Sequence, residues 1–127
     1  DLERSPSISA FSYGVALYTL QFLKPQSRQQ LVYRIAEKIE PGGGFFVVEK
    51  VLGSYPTTQD IIQQLYWDMK IANGLTPAQV LNNAHALRGC MFPMTIEENQ
   101  AQFRAAGFSQ VELVFKDLQF CGWLLIR

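Results

Sequence analysis

Two short stretches hold most of the side chains in this sequence that can do chemistry. Glu49 and Lys50 close the apolar run Phe45-Phe46-Val47-Val48. A carboxylate beside an ammonium suits proton transfer, recognition of an acidic ligand, or a plain ion pair. Neighbours in a strand point to opposite faces, which favours the ion pair. Tyr18, Thr19, Gln21 and Phe22 follow a second apolar run, Tyr13-Gly14-Val15-Ala16-Leu17, and set polar atoms among large apolar groups. They suit ligand contact or loop packing alike. His85 is the one histidine, with no Cys or His close by to complete a metal site. It reads either as a base or as a hydrogen-bonded helix residue. Cys90 and Cys121 are too few and too far apart for a disulfide framework, and each is expected to be a small buried hydrophobe. Apolar surroundings raise a thiol's pKa, which opposes nucleophilic use. No metal is implied, and no catalytic residue stands out.

The elements that must position these groups follow from the patterning. Residues 1–12 are polar, contain Pro6 and show no period, so they are expected to be a flexible segment ahead of a single domain over 13–127. Tyr13 to Leu17 has the apolar run of a buried strand. Lys24-Pro25 opens a helix whose apolar face is Leu31, Val32, Ile35, Ala36 and Ile39, with Arg28, Arg34, Glu37 and Lys38 as the solvated side. Pro41-Gly42-Gly43-Gly44 ends that helix and turns the chain into a strand over Phe45 to Glu49. Thr57 or Thr58 caps the next helix, which runs to Asn73-Gly74 with an apolar stripe wide enough to bury more than one side. Thr76-Pro77 starts another helix reaching about Arg88, and Thr95-Ile96-Glu97-Glu98 forms a capping box for a third that ends at Gly107. Val111 to Phe115 and Phe120 to Ile126 then form an antiparallel pair. The order is α/β, and in open α/β sheets ligands bind beyond the carboxyl ends of the strands, where Glu49-Lys50 lies.

Composition narrows the class. A chain of 127 residues with 48% apolar residues buries one core, and a formal net charge of zero gives no overall attraction to nucleic acid or anionic lipid. A local basic patch is compatible with that total. The apolar stretch Gly122 to Ile126 is too short to span a bilayer, and DLERSPSISA lacks the apolar core of a signal peptide, so a cytoplasmic protein is expected. The chain opens without Met and reads as a processed, trimmed or partial one.

Four segments carry a resemblance: LYTLQFLKP (17–25), IEPGGGFFVVEK (39–50), WDMKIANG (67–74) and FRAAGF (103–108). Together they resemble the second half of a class I S-adenosylmethionine-dependent methyltransferase, and more narrowly the carboxy-S-adenosylmethionine synthases of tRNA wobble-uridine modification. The resemblance implies a partial doubly wound, Rossmann-like sheet containing strands four, five, seven and six of that fold, with the terminal hairpin as strands six and seven. It implies S-adenosylmethionine or its carboxylated form as cofactor, with Leu17, Tyr18 and Thr19 on the cofactor side. Gln21, Phe22, Glu49, Lys50, His85 and Arg88 fall on the substrate side.

The glycine-rich loop and the acidic ribose ligand of such enzymes belong to the first two strands and are not in this sequence. Pro41 to Gly44 is no substitute, because it precedes a strand, whereas a nucleotide-binding loop follows one and opens a helix. Leu17 stands where the synthases have Asn, and Ala84 where they have the Arg that pairs with the extra carboxylate. Arg88 lies one turn further on. These departures make ordinary methyl transfer the simpler activity. The resemblance leaves tRNA open as a partner, while the unpaired edge of the fourth strand implies a homodimer. The alternative reading is an inactive dimerisation or interaction module built on the truncated sheet.

Overall fold

A computed structural model describes residues 8–127. Strand β1, Phe11–Leu17, is followed by a single 3-10 turn at Leu20–Phe22, helix α1 at Pro25–Lys38 and the long strand β2 at Ile39–Leu52. Two helices, α2 (Pro56–Ala72) and α3 (Pro77–Ala86), precede a two-residue strand β3 (Met94–Thr95) and helix α4 (Ile96–Ala105). The chain ends in β4 (Gln110–Asp117) and β5 (Phe120–Ile126). The sheet order is β1-β2-β5-β4, with β3 paired to the end of β2. β1 runs parallel to β2, whereas β5 runs antiparallel to both β2 and β4. This is the expected four-five-seven-six arrangement.

Local chemistry explains the boundaries. Thr76 and Thr95 each accept a backbone N–H from the residue three ahead while Gln79 and Glu98 reach back, completing two capping boxes. Gly43 lies against β1 so closely that an added Cβ would sit 2.4 Å from the Ser12 carbonyl oxygen. Glycine there lets the β1 and β2 backbones meet at the start of their pairing. Gly42, at φ +78°, donates to the Arg127 carbonyl and ties the turn to the end of the chain.

The core lies on one face of the sheet. Phe45, Val47 and Val51 of β2 and Cys121, Trp123 and Leu125 of β5 alternate inward, where they meet Leu31, Val32 and Ile35 of α1 and Phe103 of α4. Phe103 and Trp123 pack edge to face with ring centres 5.7 Å apart.

Several expectations are corrected by this arrangement. The strand expected to be buried presents Tyr13, Val15 and Leu17 to solvent, at 79%, 67% and 50% exposure, because among the described residues no helix covers that face and β1 is an edge. β1 begins at Phe11, two residues before the expected boundary, while residues 1–7 of the segment expected to be flexible lie outside the described ones. α2 starts at Pro56 after Tyr55, not at Thr57 or Thr58, since Pro is already suited to the first helical position. Its wide apolar stripe buries no residue fully, because α2 and α3 pair with each other beside the sheet rather than lying across it. Cys90 is exposed, whereas Cys121 is buried and its thiol is pushed up to about 11 by that burial. Arg28, expected on the solvated side of α1, is fully buried.

Candidate functional site

The site begins with a carboxylate. Glu49 sits in β2 on the inward face shared by Val47 and Val51 and is fully buried. Its two oxygens accept the backbone N–H groups of Thr19 at 3.3 Å, Leu20 at 2.9 Å and Gln21 at 2.7 Å. A side chain from β2 therefore binds and holds the turn that follows β1. Burial pushes its carboxyl above the ordinary range, opposed by those N–H groups and by the positive charge of Arg28. The buried Arg28 guanidinium, lowered by the same desolvation and raised by Glu49, donates through Nε to Gln102 Oε1 at 2.9 Å and through Nη2 to Asn99 Oδ1. Asn99 in turn donates to the Met94 and Thr95 carbonyls. Glu49 thus fastens the turn after β1 to β2, and Arg28, which faces it electrostatically, fastens α1 to α4.

That turn presents its residues to a cavity. Tyr18, at φ +53°, is held by its N–H bond to the Val48 carbonyl at 2.7 Å. A non-glycine residue in that region is strained and persists only where its surroundings fix it. Gln21 accepts the Lys50 N–H on its side chain at 2.6 Å and the Phe92 N–H on its carbonyl at 2.7 Å, bridging β2 to the loop after α3. Tyr18, Gln21 and Lys50 form one side of a cavity of about 560 Å³, and α2 and α3 form the other with Tyr66, Lys70 and Ala84. The volume falls in the range of small-molecule sites, and the cavity opens at the carboxyl ends of β1 and β2.

Of the residues expected from sequence, the cavity brings together Tyr18, Gln21, Phe22 and Lys50. It does not include the others. Leu17 is half exposed on the open face of β1, and Thr19 is spent within the turn, its hydroxyl donating to the Leu17 carbonyl at 2.9 Å. Glu49 is a buried fastening behind the wall rather than a group facing substrate, because β2 turns it to the α1 side and Lys50 to the cavity side. His85 and Arg88 are exposed and outside the lining, since Val80, Ala84 and Leu87 occupy the inward side of α3 and of the residue after it. Sequence reasoning missed Tyr66, Trp67, Lys70 and Phe120 as wall residues. Tyr66 and Lys70, four apart on α2, were the available signal for a shared face. Among the described residues no cluster of three His, Cys, Asp or Glu is placed to hold a metal ion. No helix among them is long and apolar enough to cross a membrane.

Comparison with known proteins bears on both fold and family. No protein-family model matches the chain. A carboxy-S-adenosyl-L-methionine synthase of Staphylococcus epidermidis is 32% identical over 116 residues, covering 91% of this chain and 51% of that protein. The synthase of Methylococcus capsulatus is 30% identical over all 127 residues, 52% of its own length. The chain thus spans about half the length of the curated relatives it matches. Among solved structures, the S-adenosylmethionine-dependent methyltransferase SibL superposes over 100% of this chain and 34% of its own, with TM-score 0.63 and 13% identity. Human N-acetylserotonin methyltransferase does so over 100% and 32%, with TM-score 0.61 and 16% identity. The fold is therefore the carboxy-terminal half of the class I S-adenosylmethionine-dependent methyltransferase fold. In sequence the chain is carboxy-S-adenosylmethionine synthase-like.

Proposed function

We propose that this chain supplies the acceptor side of an S-adenosylmethionine-dependent methyltransferase site. The observation that carries the reading is the cavity at the carboxyl ends of β1 and β2, walled by the Glu49-held turn on one side and by α2 and α3 on the other. When bound, S-adenosylmethionine supplies an electrophilic methyl group on a sulfonium. Of the residues present, those of the turn that line the cavity, Tyr18, Gln21 and Phe22, would form one wall of a site for it. Among the described residues no glycine-rich loop follows a strand and opens a helix to hold the cofactor's other end. Ala84 lines the cavity, and none of the lining residues is an Arg that could pair in a forked way with a carboxylated cofactor, which supports ordinary methyl transfer over synthesis of that cofactor. Isothermal titration of this chain with S-adenosylmethionine is expected to show no tight binding. Micromolar affinity would contradict the assignment of a single wall.

A cytoplasmic, tRNA-modifying enzyme is proposed with it, a reading that rests on the resemblance of segments 17–25, 39–50 and 67–74 to the carboxy-S-adenosylmethionine synthases. Loss of a modified wobble uridine on deletion of the coding sequence tests it, and an unchanged modification profile would remove tRNA from the proposal. A homodimer is the proposed assembly. The outer backbone edge of β1 has no strand partner among the described residues, and Tyr13, Val15 and Leu17 lie exposed beside it. Light scattering at high micromolar concentration is expected to show a dimer that Val15→Pro, which removes an edge N–H, converts to monomer. A wild-type chain that is folded and strictly monomeric would end this proposal.

A further inference from the structure

Two ammonium groups flank one aromatic ring in the cavity. Lys70 Nζ lies 4.5 Å from the centre of the Tyr66 ring and Lys50 Nζ lies 6.0 Å from it. Neither has a carboxylate partner among the described residues, and no Asp or Glu lines the cavity. Burial and the like charge of Lys70 both push the Lys50 ammonium below the usual lysine range. The titratable groups around it are Tyr18 from the turn, Tyr66 and Lys70 from α2; Glu49, its neighbour in β2, faces the opposite side. Two cations set around one ring, of which Lys50 is partly desolvated, have no anion lining the cavity beside them. A sulfonium does not suit that end, because it would add a third positive charge. The remaining walls are aromatic, with Tyr18, Phe22, Trp67 and Phe120 around the same space. Tyr66 meets Phe120 edge to face at 5.4 Å, and Tyr18 meets it at 5.6 Å.

We infer that the cavity binds a hydroxyaromatic ligand as its oxyanion, with the ring held in the aromatic box and the oxygen between Lys50 and Lys70. The O–H bond breaks as the ligand binds, its proton passes to a base in bulk solution, and both electrons stay on the oxygen. This deepens the methyltransferase reading, since the oxyanion would be the nucleophile, and Lys50 and Lys70 would be binding residues that favour the ionised form.

The test uses 4-nitrophenol, whose anion absorbs visibly, titrated into this chain without cofactor at a pH below the free phenol's ionisation. Binding is expected to be saturable and to raise the phenolate band. Lys50→Met and Lys70→Met should each weaken binding by about tenfold or more, as expected for a lost charge-assisted contact. Each should also abolish the spectral change. Arg88→Met, which removes an exposed cation outside the cavity, should leave both unchanged. Circular dichroism confirms that each variant is folded, and Lys70 on the surface of α2 provides a second variant if Lys50→Met is not. No saturable binding, binding with the spectrum of the neutral phenol, equal affinity in folded Lys70→Met, or tighter binding of benzoate than of 4-nitrophenol would each overturn the inference. Because no cofactor is present in this test, micromolar binding of S-adenosylmethionine in the separate titration would overturn the one-wall methyltransferase reading while leaving this result standing.

Discussion

Glu49→Gln is expected to destabilise the chain by about 3 kcal/mol, because buried N–H donors that met a carboxylate lose an acceptor and the buried Arg28 loses the negative charge that partly offsets it. The amide keeps one acceptor oxygen but turns an NH2 group toward N–H donors that now meet a carboxylate. Arg28 would then be buried with no negative charge facing it. Adding Arg28→Met to Glu49→Gln should cost far less than Arg28→Met alone, since the uncompensated cation is already present in the single variant. Urea unfolding of the four proteins checks this, and simple additivity of the two effects would show that the residues do not act as a unit. A pH dependence follows as well. Folding raises the Glu49 carboxyl from its ordinary 4.5, so the folded chain holds a proton that the unfolded chain has released. Glu49's contribution is therefore fully present below 4.5 and declines as pH rises above it, up to the folded-state ionisation. That portion of the slope should be missing in Glu49→Gln.

Trp123→Ala should be comparably costly, about 3–5 kcal/mol, for a different reason. Trp123 is the largest fully buried side chain, sits between β2 and β4 in register, and meets Phe103 of α4 edge to face. Removing it takes away an aromatic contact between the sheet and α4 and leaves a cavity that the paired strands cannot close. The core lies on the opposite face of the sheet from Tyr18, Lys50 and Tyr66. At low temperature, where the variant remains folded, 4-nitrophenol binding should be retained. A loss of stability below about 1 kcal/mol would mean that the site collapses around the missing ring, contrary to a close-packed core.

The two faces of the sheet show what sequence can and cannot supply. The strand expected over Phe45 to Glu49 runs from Ile39 to Leu52 and takes in Ile39, expected on the helix, and the Pro41 to Gly44 turn, whereas the capping box at Thr95 and the terminal hairpin follow from local chemistry and appear as expected. Tyr13, Val15 and Leu17 do not, because an apolar run records a preference for burial and carries no information about whether a covering layer is present. Arg28 was legible in principle. It precedes Leu31, Val32 and Ile35 by three, four and seven residues, the spacing of one helix face, but a charged side chain by itself predicts solvent. Glu49 and Lys50 are both expected on the substrate side, most simply as an ion pair at the strand end. Alternation along β2 separates them, so the carboxylate fastens the turn and the ammonium faces the cavity. Lys70 and Tyr66 reach the site only because α2 stands beside the sheet, a placement set by tertiary packing that helical periodicity does not encode.

The most direct measurement is a backbone amide NMR map of this chain titrated with S-adenosylmethionine into the millimolar range. The predicted result is weak binding with shift changes confined to the turn after β1, at Tyr18, Thr19, Leu20 and Gln21. Micromolar affinity, or changes centred on β4 and the far side of α4, would contradict the assignment of this chain as one wall of the methyltransferase site.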